Sequence, residues 1–106
     1  MPNRTPARPI YSLKEVKRLA SENKVDFSDR RDGGADLNAL GMTRQTACAI
    51  ITQLQPRDYN GPSYKGECPA DVYLVQRPML SKPLYIKLQI DADGELLIVI
   101  SFHLSN

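Results

Sequence analysis

From Leu84 onward the apolar residues fall on every second position: Leu84, Ile86, Leu88 and Ile90 alternate with Tyr85, Lys87 and Gln89. A period of two predicts a strand with one buried and one polar face. The same period marks candidate strands at about 71–77 and 95–103. Glu95 to His103 is apolar on both faces for most of its length and turns polar only near Ser101 and His103, as expected of a central or well-covered strand.

Upstream the period is helical. Leu13, Val16, Leu19 and Ala20 share one face and leave Lys14, Lys17 and Arg18 toward water, which predicts a helix ending near Asn23. Ser12-Leu13-Lys14-Glu15 reads as a capping box, and Tyr11 with Val16 as its hydrophobic staple. Arg30-Arg31-Asp32-Gly33-Gly34 breaks the pattern, and Ala35 to Leu40 predicts a short helix that stops at Gly41. A third helix follows with Thr43 as cap and Ala47, Ile50, Ile51 and Leu54 as its apolar stripe, ending at Gln55-Pro56. The opening Met1 to Pro9 holds three prolines and no periodicity, so residues 1–10 are expected as an extended arm. Asp58 through Ala70, punctuated by Gly61, Pro62, Gly66 and Pro69, is expected as a long loop.

Two amphipathic helices ahead of a half-apolar sheet predict an α+β fold. A small antiparallel sheet of three or more C-terminal strands is covered on one face by two or three N-terminal helices. The final hairpin sets which side chains face outward. If Ala92-Asp93-Gly94 is a three-residue loop with Gly94 in the left-handed conformation, Asp91 pairs with Glu95 and Tyr85 faces Ser101. Tyr85, Lys87, Ser101 and His103 then share the face opposite the helices, while Leu84, Ile86, Ile98, Ile100 and Phe102 fill the core. A two-residue Asp93-Gly94 turn would instead put Phe102 beside Tyr85 and send His103 toward the core. The first register separates polar from apolar residues better.

Length and composition narrow the setting. With 106 residues, 42% hydrophobic and 25% charged, the chain is expected to be one domain spanning 1–106. The net charge of +2 is carried by the first thirty residues, which hold seven Lys/Arg against four Asp/Glu. That bias permits a nucleic-acid partner without arguing for one. No apolar run has signal-peptide or membrane-spanning length, so the expected location is the cytoplasm, with no membrane partner. Cys48 and Cys68 form no CxxC pair and have no histidine at zinc-ligand spacing, which predicts two unpaired thiols, no metal site and no cofactor.

The sole histidine gives the outer face its chemistry. Histidine titrates near neutral pH and can take or give a proton. Lys87, with Arg77 from the neighbouring strand, could neutralise charge developing on a phosphate, and Tyr85 could orient the phosphate or stack on a base. Such a face could cleave a phosphodiester without metal. The plainer reading is a solvated histidine beside an ordinary Tyr/Lys strand face, serving a non-catalytic module that binds RNA or protein.

The chain resembles the MqsR family of bacterial toxin–antitoxin systems, small mRNA endoribonucleases with a RelE-like fold. The similar segments run from Arg4-Thr5-Pro6 through Leu13-Lys14-Glu15-Val16-Lys17-Arg18-Leu19, Ala39-Leu40-Gly41-Met42, Asp58-Tyr59, Asp71-Val72-Tyr73, Arg77-Pro78 and Leu84-Tyr85-Ile86-Lys87-Leu88 to Val99-Ile100-Ser101-Phe102. Their order and spacing carry the resemblance. It implies the toxin of a type II system that cleaves single-stranded mRNA, stops translation and growth, and is neutralised by a cognate antitoxin. It also implies a monomer when free and a higher-order complex with that antitoxin.

The family's strand tyrosine falls on Tyr85 and its strand arginine on Arg77. Where relatives carry lysine after Ser-Phe, this chain has His103. The family's Asp-Phe-Tyr-Lys run is interrupted by Asn60-Gly61-Pro62-Ser63, which makes Lys65 the candidate for the displaced lysine. For the family's glutamine, Tyr73 and Gln76 are both open. The expected catalytic set is therefore His103, Tyr85, Lys87 and Lys65, with Arg77, Tyr73, Gln76 and Ser101 on the substrate. A degenerate toxin that acts only through its antitoxin is the remaining alternative.

Overall fold

Helix formation begins where the chain first offers a cap. Ser12 accepts the Glu15 amide at 3.4 Å and starts α1, Leu13–Ser21. The reciprocal half of the expected capping box is not made, because the Glu15 carboxylate accepts from Arg18 Nε at 2.9 Å instead. Val16, Leu19 and Ala20 face inward. Lys17 is not fully solvated as expected: its ammonium donates to the Leu54 carbonyl at 3.0 Å and fastens α1 to the end of the third helix. Asn23, at φ 61, ends α1 in the left-handed conformation that Asn tolerates. The Lys24 amide then reaches back to the Leu19 carbonyl at 2.9 Å.

The computed structural model describes residues 8–27, 37–66, 68–78 and 80–105. The expected arm up to residue 7 and the Arg30-Arg31-Asp32-Gly33-Gly34 break lie outside the described residues. After α1 comes a short strand that periodicity did not reveal, β1, Val25–Phe27. α2, Leu37–Leu40, stops at Gly41, whose φ of 67 fits the expected stop. α3, Arg44–Thr52, is capped by Thr43, which accepts the Thr46 amide at 3.1 Å. A 3-10 turn at Pro56–Asp58 leads into β2, Tyr59–Ser63; β3 is Ala70–Val75, β4 Leu84–Ile90 and β5 Leu97–Leu104.

The α+β class is as expected, but the sheet is larger and mixed. Its five strands run in the order β1-β5-β4-β3-β2, with β1 parallel to β5 and the other neighbours antiparallel. Two expectations are corrected. The sheet is not wholly antiparallel, because the Lys24 to Phe27 segment pairs with β5 through Val25–Leu97, Asp26–Ile98 and Phe27–Val99. Asp58 to Ala70 is not a long loop, because Tyr59 to Ser63 pairs with β3 despite its glycine and proline. Those residues suit an edge strand with an irregular register, and a shift occurs between Tyr59 and Gly61.

The β4–β5 register also differs. Tyr85 pairs with His103, not Ser101, and Lys87 pairs with Ser101. Asp91 pairs through its amide with the Leu96 carbonyl at 3.0 Å, and its Oδ1 accepts the amides of Glu95 and Leu96 at 2.9 and 3.2 Å. The carboxylate thus holds four residues in the turn where three were expected. Gly94 keeps the predicted left-handed conformation at φ 72. Between Lys87 and Leu88 the register shifts by one, so Leu88 pairs with Val99 and Ile90 with Leu97. Ile100 is the extra residue of a bulge. Leu97 and Val99 therefore enter the core in place of the expected Ile98 and Ile100, which are half-exposed and outside it.

The core lies between the helices and one sheet face. Val16 and Leu19 of α1 and Ala47 and Ile51 of α3 pack with Val75, Leu84, Ile86, Leu88, Leu97, Val99 and Phe102. Each fully buried aliphatic side chain contributes about 1.5–3 kcal/mol. β1 is held at the sheet edge by Arg44, which donates to the Val25 carbonyl and to Asn23 Oδ1 and lies over the Phe27 ring.

One buried charge stands at the border of this core. Asp71 is fully buried, and its Oδ1 accepts from the Ile10 amide at 3.0 Å and the Tyr59 hydroxyl at 2.8 Å, while Oδ2 accepts from the Tyr11 amide at 2.8 Å. It joins the segment before α1, the edge strand β2 and the sheet interior. Asp71→Ala should cost roughly 2–4 kcal/mol, since three donors lose a charged acceptor together. Urea unfolding checks this, and a change below about 0.5 kcal/mol would show that these bonds are dispensable.

Candidate functional site

The sheet face away from the helices is built by strand alternation. It carries Val72 and Leu74 from β3, Tyr85, Lys87 and Gln89 from β4, and Ile98, Ser101 and His103 from β5. Near the end of β4 and β5 the direct pair Tyr85–His103 stacks its rings, with centroids 5.0 Å apart and an angle of 15° between planes. Lys87 and Ser101 form the next pair inward from them. The four residues expected to share an outer face do share one. Ser101 is 8% exposed, so its hydroxyl is largely covered, whereas Tyr85, Lys87 and His103 are half-exposed.

The histidine is oriented by its own backbone. Nδ1 lies 2.9 Å from the Leu104 carbonyl oxygen, and since a carbonyl can only accept, Nδ1 carries the proton. In the neutral ring Nε2 is then the basic nitrogen. The stacked phenol covers one ring face, which limits rotation without blocking the ring edge. The pair presents an aromatic surface, a base and a nearby ammonium on one open face, a combination able to hold and deprotonate a nucleotide.

The other expected site residues go elsewhere. Tyr73 points to the helix side, fully buried against Tyr59, with ring centroids 5.3 Å apart. Its hydroxyl has no partner among the described residues. Arg77 lies beyond the end of β3 and reaches toward the helix layer, donating to Gln53 Oε1 at 3.4 Å and to the Gln76 carbonyl at 3.3 Å. Gln76 is exposed beside it and lines the same cleft. Lys65 is exposed past the end of β2, where Ser63 pairs with Ala70 and the neighbouring Asp71 pairs with Leu88. It thus sits beyond the opposite end of the strands from Tyr85 and His103. Sequence reasoning also passed over Arg57, Gln53 and Gln55, which join Gln76 and Arg77 in the cleft. The Gln-Pro-Arg-Asp order of the 3-10 turn, with a capping residue at each end, was the signal available.

With this geometry in place, comparison with known families is decisive. Residues 8–104 match the family described as motility quorum-sensing regulator, toxin of MqsA. The chain belongs to this MqsR toxin family. It is accordingly a toxin of a toxin–antitoxin system, and an antitoxin is its partner. No curated protein matches the chain. No helix among the described residues is long and apolar enough to cross a membrane.

Buried Tyr73 and half-buried Tyr59 should make the toxin sensitive to alkali. Burial first, and then the negative charges of Asp71 and Asp58, push the Tyr73 hydroxyl well above its ordinary value of 10.0. Burial and the hydrogen bond to Asp71 do the same to Tyr59. In the unfolded chain both phenols ionise near pH 10, while in the folded chain they stay protonated, so stability is intact below about pH 10 and falls as pH rises further. Tyr73→Phe removes an unpartnered buried hydroxyl and should stabilise by about 1 kcal/mol. It should also reduce the loss of stability between pH 9 and pH 11, followed by urea midpoints. An undiminished loss would show that Tyr73 does not contribute to it.

Proposed function

We propose that the toxin is an endoribonuclease that cleaves single-stranded mRNA on the outer sheet face, without a metal ion, and thereby stops translation and growth. The observation that carries this reading is the Tyr85–His103 stack, with Nδ1 committed to the Leu104 carbonyl and Nε2 left basic. In the reaction, Nε2 takes the proton of the substrate's 2′-hydroxyl, and the 2′-oxygen attacks the adjacent phosphorus. The bond to the 5′-oxygen breaks, and that oxygen takes up a proton. The products are a 2′,3′-cyclic phosphate and a 5′-hydroxyl. The Lys87 ammonium, beside the reacting pair, neutralises the extra negative charge on the phosphate oxygens, and the Tyr85 ring supports the imidazole and a base stacked beside it.

Histidine at position 103, where the resembling sequences carry lysine, brings to the face an imidazole that can take a proton through Nε2. A substrate-side contact comes from Gln76, which is exposed just past the strand end nearest Tyr85. An antitoxin that covers this face would silence the enzyme by exclusion.

His103→Ala should lower the cleavage rate by about 10²–10⁴-fold with the fold preserved, and relieve growth arrest on induced expression. RNA with a single 2′-deoxy nucleotide at the scissile position should resist cutting there. Cutting at that nucleotide would refute the mechanism. Undiminished growth inhibition by the His103→Ala protein would make the face a non-catalytic binding surface.

A further inference from the structure

A polar cleft of about 500 Å³ opens between the end of α3 and the end of β3, lined by Gln53, Gln55, Arg57, Asp58, Gln76 and Arg77. Its charge is unbalanced. The Asp58 carboxylate already accepts the Gln55 amide at 2.8 Å and closes the cap of the 3-10 turn. Arg57 is exposed and has no partner among the described residues. Arg77 is held in place by two neutral acceptors, Gln53 Oε1 and the Gln76 carbonyl. Two guanidinium groups thus remain without a carboxylate partner, next to three carboxamides that can each donate and accept. Guanidinium forks match phosphate oxygens, and carboxamides match the mixed donors and acceptors of base edges.

The cleft lies at the end of the strands nearest Tyr85 and His103. Leu74 pairs with Tyr85, which pairs with His103, and Gln76 lies two residues beyond Leu74 on the same strand line. That is an advance of about 6.6–6.8 Å in an extended chain. Arg57, Arg77 and Lys82, with the carboxylate of Asp58, gather at this end of the strands, whereas Asp91, Asp93 and Glu95 occupy the turn at the other end, where Lys24 and Lys65 offset them only in part. A polyanion crossing Tyr85 and His103 is drawn toward the cleft and repelled from the turn.

We propose that this cleft is a binding subsite for a nucleotide of single-stranded RNA flanking the cleavage position. Arg57 and Arg77 hold its phosphate, and Gln53, Gln55 and Gln76 contact its base. RNA as ligand rests on the ribonuclease reading, whereas the location rests on the cleft itself.

The test uses the purified toxin and a fluorescent single-stranded RNA of mixed sequence, 2′-O-methylated throughout so that it cannot be cut, with affinity read by anisotropy at several salt concentrations. Arg57→Ala should weaken binding about fivefold and reduce the slope of log affinity against log salt by about 0.7, the loss of one phosphate contact. Arg57→Lys should restore the slope. Lys14→Ala removes the same charge from an exposed position on α1 and should leave affinity within about twofold of the unaltered toxin. Equal effects of Arg57→Ala and Lys14→Ala would overturn the subsite, as would weakened antitoxin binding with RNA affinity unchanged. If the oligonucleotide binds in this Arg57-dependent way while natural RNA is never cut, the ribonuclease reading fails and the subsite stands.

Discussion

The chemistry of the outer face depends on one inserted residue. β5 is sandwiched between β1 and β4 and must bury Leu97 and Val99 at its start and Phe102 near its end. The first two positions are odd and the third is even, and a regular strand cannot bury both sets on one face. The bulge at Ile100 resolves the conflict by changing the alternation, so that Leu97 and Val99 face the helices before it and Phe102 after it. The same change turns Ser101 and His103 outward. Without it, burial of Leu97 and Val99 would carry His103 into the core, where an ionisable ring would need a buried partner. Hydrophobic packing, rather than any interaction of the histidine itself, therefore sets the histidine's position.

Around that strand the polar groups are arranged to hold edges rather than to stabilise the middle. Asp71 binds two amides ahead of α1 and the hydroxyl at the start of β2, so a single carboxylate ties the N-terminal segment to the edge of the sheet. Arg44 does the same at the other edge, joining α3 to Asn23 and Val25 while its guanidinium covers Phe27. Phe27 in turn meets Phe102 edge-on, with centroids 6.1 Å apart. The two edge strands are short, at three and five residues, and these side-chain ties supply what backbone pairing on one side alone does not. The centre of the sheet is left to apolar packing, with a rigid frame beneath the Tyr85–His103 pair.

Charge is distributed along the strands rather than across the sheet. The overall excess of +2 is too small to attract RNA strongly, but position matters more than total when the field is felt over about 8–10 Å. The cationic side chains at the Gln76 end and the carboxylates at the Asp91 end give the open face a direction. A polyanion laid across it is drawn toward the Gln76 end.

The sequence by itself determined the elements whose periodicity is long and uninterrupted. Leu84 to Ile90 alternates cleanly, Leu13 to Ala20 repeats at helical spacing, and Ser12, Thr43, Gly41 and Gly94 mark their boundaries, because caps and turns depend on local backbone chemistry. The grouping of Tyr85, Lys87, Ser101 and His103 on one face was also legible from polarity, and it survived because the expected register was off by two residues at that point, one from the turn and one from the bulge, which restores the same face. Tertiary structure alone decided what depends on partners distant in the chain. β1 and β2 are too short or too interrupted to show a period, and each exists because a longer strand offers it hydrogen bonds. The bulge at Ile100 arises from packing against the helices and from the Asp91 carboxylate lengthening the turn, and β5, apolar on both faces, contains no local pattern that chooses between Ile98 and Val99 for the core. Arg77 faces the cleft rather than the outer sheet because it continues the alternation of Tyr73 and Val75, which face the helices, and which alternate set a strand buries is decided by the layer packed against it.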